Sequence, residues 1–193
     1  VQQLNKVAAA RDLFLYVIVK SYDGRGAGFY ISEKHVVTNQ HVVGNSTFVE
    51  VQDYLGNVFS GKILAINRDA DLALISVSQE GRPLILARHG VKLGVSTQAI
   101  GHPNGLDYTL TSGVVSAIRQ INLNSNSHRT VKVIQTDTPI SPGSSGGPLL
   151  VKGEVVGVNT AKNSGQLLEG LGFAVHADEV QDFVSQVLER MPD

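Results

Sequence analysis

Short apolar runs separated by turn signals dominate most of the chain. A first series comprises residues 13–19, 27–32, 36–38, 48–52, 58–66 and 71–77. A second series comprises residues 96–100, 107–112, 114–119, 131–135, 148–150, 155–160 and 173–175. Short runs rich in β-branched and aromatic residues are typical of strands, and no helical period lies between them. We therefore predict an all-β, antiparallel architecture, and two series of similar length fit two small barrels packed side by side.

Helical patterns are confined to the two ends of the chain. Residues 4–11 contain favourable helix formers and predict a short N-terminal helix. Near the other end, a single apolar stripe is formed at helical spacing by Val180, Phe183, Val184, Val187 and Leu188. This stripe predicts a C-terminal helix over residues 178–190, docked on the second barrel. Asp178 and Gln181, three residues apart, resemble a capping box at its start.

Turn-rich residues 81–95 predict a linker between a first barrel at 11–80 and a second at 96–176. The chain has 193 residues, 42% of them hydrophobic, which is enough for a sizeable core. Its net charge of −1 argues against a nucleic-acid surface, and the lack of cysteine excludes disulfides and thiolate metal sites. No apolar run approaches the ~20 residues of a membrane span, and the first residues do not read as a signal peptide.

The segment around Ser145 is the strongest chemical signal. Ser145 precedes Gly146 and Gly147, and a proline–glycine turn that ends at Gly143 precedes it. Glycines allow unusual backbone angles, and a tight turn can aim successive N–H groups into one anion-binding concavity. A serine hydroxyl beside such N–H groups, those of Gly143 and Ser145, suits acyl transfer through an oxyanion. The same composition is also typical of a flexible surface turn.

A serine nucleophile needs a base, most often histidine, and an acid that orients the base. Of the six histidines, His41 follows a predicted buried strand, although a structural role is an equally open interpretation. Asp71 opens the apolar run at 72–77 and is the preferred acid, while Asp69 and Asp137 are its rivals. The order His41, Asp71, Ser145 is that of the chymotrypsin-type two-barrel proteases.

Three segments around these residues, at 37–43, 69–74 and 143–149, are together similar to the HtrA/Deg family of serine proteases. Further similar segments follow in order at 101–106, 111–117, 135–137 and 170–175. The resemblance covers residues 11–190. It implies one protease domain over residues 1–193, built from two six-stranded antiparallel barrels of chymotrypsin type, and we expect no PDZ domain in this chain.

The resemblance also assigns roles to single residues. It implies Ser145 as nucleophile, His41 as general base and acid, and Asp71 as the orienting carboxylate. Backbone N–H groups of Gly143 and Ser145, with Ser144, would form the oxyanion hole. The substrate-binding residues would be Ile140, Leu171, Gly172 and Phe173, the last three as an edge that pairs with the substrate backbone.

Trypsin-like specificity in this fold comes from an aspartate six residues before the nucleophile. That position is Pro139, flanked by Thr138 and Ile140, so we expect an uncharged, aliphatic P1 residue. The chain departs from the family's common pattern at Ser144, His102 and His176, and no role is assigned to either histidine. The resemblance further implies unfolded polypeptides as substrates, a homotrimer and a periplasmic, extracytoplasmic location.

Two alternatives to a protease follow from the same residues. A latent or non-catalytic peptide-binding, chaperone-like scaffold would keep the fold without the chemistry. An esterase is disfavoured because its nucleophile-elbow motif and triad order are different. No metal-ligand spacing or cofactor fingerprint is present in the sequence, so we expect neither group.

Overall fold

The computed structural model describes residues 15–160 and 171–191, and twelve of its elements are strands. The first six strands close into one antiparallel barrel in the order β1-β2-β3-β6-β5-β4. They are β1 (Tyr16–Lys20), β2 (Arg25–Ser32), β3 (His35–Thr38), β4 (Phe48–Gln52), β5 (Val58–Asn67) and β6 (Leu72–Val77). The barrel closes because β1 pairs with both β2 and β4.

The other six strands close into a second barrel in the order β10-β11-β12-β9-β8-β7. They are β7 (Ser96–Gly101), β8 (Thr109–Ile121), β9 (Val131–Thr136), β10 (Pro148–Val151), β11 (Glu154–Thr160) and β12 (Gly172–His176). Pairing of β10 with β7 closes it. The predicted all-β fold of two six-stranded antiparallel barrels is confirmed, while the predicted N-terminal helix over residues 4–11 lies outside the described residues.

One long strand replaces two predicted short ones. The pattern predicted strands at 107–112 and 114–119, with Gly113 as the break, but β8 runs through Gly113 without interruption. A Cβ on Gly113 would lie 2.5 Å from the Thr138 backbone nitrogen. The glycine therefore marks a close approach of another backbone segment and not a turn.

The two barrels share one buried apolar cluster, the shared core, and each barrel also has a cluster of its own. Phe29 and Leu72 of the first barrel belong to the same buried cluster as Val133 and Val158 of the second. Because the cluster is continuous across the interface, the barrels pack as one body, and loops from both meet at its edge.

The C-terminal helix α2 (Ala177–Leu188) adds its apolar stripe to this shared core. It packs against β9, β11 and β12 but also against β5 and β6, so docking on the second barrel alone was too narrow a prediction. The predicted capping box is wrong. His176 is the N-cap, and its Nδ1 accepts the Asp178 N–H at 3.1 Å, which places Asp178 inside the first turn.

Candidate active site

A four-residue helix, α1 (Gln40–Val43), carries His41 directly after β3. Its N-cap is Asn39, whose buried side chain donates from Nδ2 to the carbonyl oxygen of Asp71 at 2.9 Å. The Gln40 N–H donates to the same oxygen at 3.1 Å. These two bonds fix the start of the helix to the loop before β6, and so they hold His41 beside Asp71.

The Asp71 carboxylate is completely buried, and three hydrogen bonds to it come from residues that the structure describes. Its Oδ1 accepts the backbone N–H of His41 at 3.0 Å, and its Oδ2 lies 2.8 Å from His41 Nδ1. The Thr160 hydroxyl, from the end of β11, donates to Oδ2 at 2.9 Å. A buried carboxylate needs such partners to remain ionised. Because an ionised carboxylate only accepts, His41 Nδ1 carries the hydrogen and Nε2 is left as the acceptor.

The backbone of Asp71 is in the left-handed region, with φ of 54°. This conformation is uncommon for a residue with a side chain, although aspartate tolerates it better than most. Strained backbone of this kind costs on the order of 1–3 kcal/mol and concentrates at functional sites. The strand itself begins one residue later, so Asp71 stands in the loop before β6 and not at the strand's first position.

Ser145 reaches the first barrel from the loop before β10. The Ala27 N–H on β2 donates to the Ser145 carbonyl oxygen at 2.8 Å. A Cβ on Gly26 would lie 2.7 Å from that oxygen and 2.6 Å from Val42 Cγ2, so the Ser145 backbone and the helix of His41 border the same glycine. Loops of both barrels thus bring His41, Asp71 and Ser145 to one place.

Two glycines with positive φ shape the loop around Ser145. Gly146 has φ of 87°, and a Cβ there would lie 2.2 Å from the Ala27 carbonyl oxygen. Gly143 has φ of 98°, and a Cβ there would lie 2.2 Å from the His102 carbonyl oxygen. Both positions therefore require glycine for backbone angle and for space, and the unusual backbone angles agree with the expectation from the sequence.

The expected contribution of Ser144 to an oxyanion hole does not fit the structure. The Ser144 N–H donates to the Ser141 carbonyl oxygen at 2.9 Å, within a tight turn. A donor engaged in that turn is not available to a substrate oxyanion. The backbone donors that remain candidates are those of Gly143 and Ser145.

The rival acids have other partners. Asp69 Oδ1 accepts from Asn124 Nδ2 at 3.0 Å, and Asp137 Oδ1 accepts the Val114 N–H at 2.6 Å. Neither contacts His41 among the residues that the structure describes. The Thr160 hydroxyl is the partner of Asp71 that sequence reasoning missed, because a threonine at a strand end carries no signal of its own until the fold is known.

The expected substrate-binding residues are not equivalent. Ile140 Cδ1 would lie 3.0 Å from a Cβ on Gly172, so these two residues are neighbours. Leu171, which precedes Gly172 in the chain, is exposed. Phe173, however, pairs with Gln135 on β9 and with Thr160 on β11. Because β12 pairs with a neighbouring strand on each side at Phe173, this residue does not offer the unpaired strand edge that an added substrate strand needs.

Hydroxyl groups occupy the region of the predicted specificity pocket. Thr97, Thr136 and Thr138 are buried, and their Oγ1 atoms lie 2.6 to 3.2 Å from one another. Thr136 Oγ1 also donates to the Val114 carbonyl oxygen at 2.7 Å, so the cluster is hydrogen-bonded without a formal charge of its own. The threonine cluster next to Pro139 is thus polar but uncharged.

The other histidines differ in burial: two are buried, two are exposed and His35 is half-buried. His102 and His176 are buried, and burial is the main cause that lowers the pKa of each imidazole, to about 4 for His102. His35 is hydrogen-bonded to the Ser32 hydroxyl at 2.7 Å, and burial also lowers its pKa. His89 and His128 are exposed, as expected for loop positions.

Among residues 15–160 and 171–191, no group of three or more histidine or acidic side chains is placed to hold a metal ion. Within the same ranges, every helix is too short or too polar to cross a bilayer.

Two closed antiparallel barrels, with a histidine–carboxylate pair and a serine followed by two glycines on loops that meet at the junction, are typical of two-barrel serine peptidases. The trypsin-like peptidase domain family matches residues 26–158, which is most of the chain. The chain belongs to this family, and its domain is a serine endopeptidase domain of the HtrA/Deg type.

Curated relatives and solved structures support this assignment. The periplasmic serine endoprotease DegP of Escherichia coli is 37% identical over 174 residues, which cover 86% of this chain and 36% of that protein. Protease Do-like 1, chloroplastic, of Arabidopsis thaliana is 34% identical over 193 residues, covering 96% of this chain and 44% of that protein. The chain thus spans less than half the length of these curated relatives.

A crystal structure of Rv3671c from Mycobacterium tuberculosis, in an inactive form, superposes with a TM-score of 0.83 at 26% identity and covers 98% of this chain and 93% of that one. The serine endoprotease from Yersinia pestis gives a TM-score of 0.81 at 26% identity, covering 96% of this chain and 66% of that one. Both likenesses extend over nearly the whole of this chain.

Proposed function

We propose that this chain cleaves peptide bonds with Ser145 as nucleophile, His41 as general base and Asp71 as the orienting carboxylate. The observation that carries the proposal is the pair of bonds from His41 to the buried Asp71, at 3.0 and 2.8 Å, beside the loop of Ser145. The first bond fixes the backbone of His41 and the second fixes its ring. A residue held at both points presents Nε2 in one orientation, as a general base requires.

In this mechanism the Ser145 hydroxyl attacks the scissile carbonyl while His41 Nε2 takes its proton. The ionised Asp71 stabilises the imidazolium that forms, and His41 then returns the proton to the leaving amine. The N–H groups of Gly143 and Ser145 donate to the carbonyl oxygen as it becomes an oxyanion. Water then attacks the acyl-enzyme, and the same base removes its proton.

The pocket chemistry supports an uncharged, aliphatic P1 residue. The three threonine hydroxyls near Pro139 are hydrogen-bonded and uncharged, and Oδ1 of the neighbouring Asp137 accepts the Val114 N–H. The position six residues before Ser145, where trypsin-like enzymes carry an aspartate, is the uncharged Pro139. A neutral pocket discriminates between aliphatic side chains by only about 1–3 kcal/mol per methylene, so we expect a broad preference.

Unfolded polypeptides, a homotrimer and a periplasmic location belong to the same proposal. The relative DegP is named a periplasmic serine endoprotease, and the similarity supports extending this location to the present chain. Extended, unfolded chains expose the backbone and aliphatic side chains that a neutral pocket accepts. Light scattering coupled to gel filtration measures the oligomer, and a monomer at micromolar concentration would contradict the trimer.

The direct test is degradation of casein by this chain beside a Ser145→Ala variant. We expect cleavage by the parent chain and none by the variant, with matched melting temperatures to show that both are folded. A Ser125→Ala change in an exposed loop is the control for serine removal. A folded parent chain without cleavage would contradict the proposal and favour the non-catalytic, peptide-binding scaffold.

A further inference from the structure

His102 is buried at the junction of the two barrels, with 1% of its surface exposed. Its Nε2 lies 3.3 Å from the carbonyl oxygen of Val17 on β1, in the first barrel. Its Nδ1 accepts the backbone N–H of Tyr108 at 3.1 Å, and its ring packs edge-to-face on the Tyr108 ring at 4.7 Å. Only the neutral tautomer with hydrogen on Nε2 satisfies both bonds.

The backbone of His102 is in direct contact with Gly143. The His102 N–H donates to the Gly143 carbonyl oxygen at 3.1 Å. The His102 carbonyl oxygen also approaches Gly143 closely, because a Cβ on Gly143 would lie 2.2 Å from it. A shift of His102 would therefore move Gly143 as well.

The charged groups around His102 are Arg25, on β2, and Asp107, in the loop before β8. Arg25 on β2 donates from Nη1 to the His102 carbonyl oxygen at 3.4 Å and forms an ion pair with Asp107 at 2.5 Å. Asp107 Oδ1 lies 3.6 Å from His102 Nδ1. Burial and Arg25 lower the pKa of His102, while Asp107 and the bond to Val17 oppose the change, and the result is a pKa of about 4. The ring is neutral at pH 7, as its two hydrogen bonds require.

We infer that His102 is a positioning residue, which anchors the backbone of Gly143 to the first barrel and so sets the geometry of the oxyanion hole. The inference rests on the proposed peptidase function. Nε2 ties the residue to β1, Nδ1 ties it to the Tyr108 loop, and its main chain holds Gly143. All of these contacts are to groups of the protein, so His102 would act on the reaction only through Gly143.

Two isosteric variants separate the two ring bonds. In His102→Asn, the amide can replace Nδ1 but is too short to reach Val17, whereas in His102→Gln the amide can replace Nε2 and lacks the Nδ1 acceptor. Removing an oxyanion donor costs about 10²–10³ in kcat, and a misplacement of about 1 Å costs about 10². We expect kcat on a peptide ester to fall about 10- to 100-fold in His102→Asn, with KM within about threefold of the parent value.

The matched control is His128→Asn, because His128 is exposed in a loop and the residue change is the same. It should leave kcat and KM unchanged. A folded His102→Asn variant with parent kcat, or with a change only in KM, would overturn the inference. A parent chain without esterase or casein activity would instead overturn the proposed function, and the inference with it.

A measurement on the parent protein covers the case in which neither variant folds. In protein labelled with ¹⁵N-histidine, the ring nitrogen shifts distinguish the tautomers and the charged ring. We expect the His102 ring to be neutral at pH 7, with its hydrogen on Nε2. A hydrogen on Nδ1, or a charged ring at pH 7, would contradict the bonds to Val17 and Tyr108 and overturn the inference.

Discussion

The hydroxyl of Thr160 offers the sharpest test of how the site is held, because a single atom is at stake. It donates to Asp71 Oδ2 at 2.9 Å, and this oxygen is also the one that faces His41 Nδ1. Thr160→Val keeps the branched shape and removes the donor. One of the described bonds to a fully buried carboxylate is then lost, and the ring that the carboxylate orients is less well fixed.

The magnitude follows from the nature of the bond. A hydrogen bond to a charged group contributes about 1.5–3 kcal/mol, and each 1.36 kcal/mol of activation free energy is tenfold in rate. If the whole loss falls on the transition state, kcat decreases about 10- to 100-fold. Asp71 is buried in the resting enzyme as well as in the transition state. Any part of the lost bond energy that affects both equally appears as a lower free energy of unfolding and not as a lower kcat.

The assay is steady-state hydrolysis of a chromogenic peptide with an aliphatic P1 residue, beside a urea unfolding curve for each variant. Thr160→Ser retains the hydroxyl and should keep kcat within about threefold, which separates loss of the bond from loss of the methyl group. A Thr160→Val protein with parent kcat and parent stability would refute the reasoning that this bond fixes Asp71.

Three further predictions concern the fold around the site. Burial lowers the pKa of His102 from 6.5 to about 4, so the unfolded chain binds the extra proton between these values. The associated contribution to the free energy of unfolding, on the order of 3 kcal/mol, is fully present above pH 6.5 and is lost as the pH falls from there through about 4. Urea unfolding from pH 7 to 4 measures this loss. An equal pH dependence of unfolding in His102→Asn would contradict the prediction. Phe183→Ala should lower the free energy of unfolding by about 3–5 kcal/mol, since the ring is 7% exposed in the shared core, and a calorimetric loss below about 1 kcal/mol would refute this. Gly146→Ala should destabilise far more than Gly94→Ala, because both have positive φ but only Gly146 would place a Cβ 2.2 Å from a backbone oxygen, so equal melting temperatures would contradict it.

Periodicity and turn signals were sufficient to predict the barrels because each strand is a short run with a buried face. The same signals gave wrong predictions where a glycine or a helix N-cap is determined by contacts with other parts of the fold. Gly113 lacks a side chain because the backbone at Thr138 approaches it, not because the strand ends. His176 caps α2 through its ring nitrogen, a role that local sequence rules assign to smaller polar residues.

The candidate site shows the same division. Residue type, order and family resemblance singled out His41, Asp71 and Ser145, and the structure brings their loops together. The supporting contacts could not be predicted, because they join segments far apart in the chain. Thr160 is 89 residues from Asp71, and His102 is 85 residues from Val17. Neither partner is chemically unusual in sequence, so only the fold reveals the pairing.

The central claim is that Ser145 is a nucleophile activated by His41. The most direct measurement is intact mass and peptide mapping after exposure to a fluorophosphonate, which reacts with activated serines. The account predicts one adduct per chain, located on Ser145 and absent in both Ser145→Ala and His41→Ala proteins that remain folded. No adduct on the folded parent chain, or an adduct that persists in either variant, would contradict it.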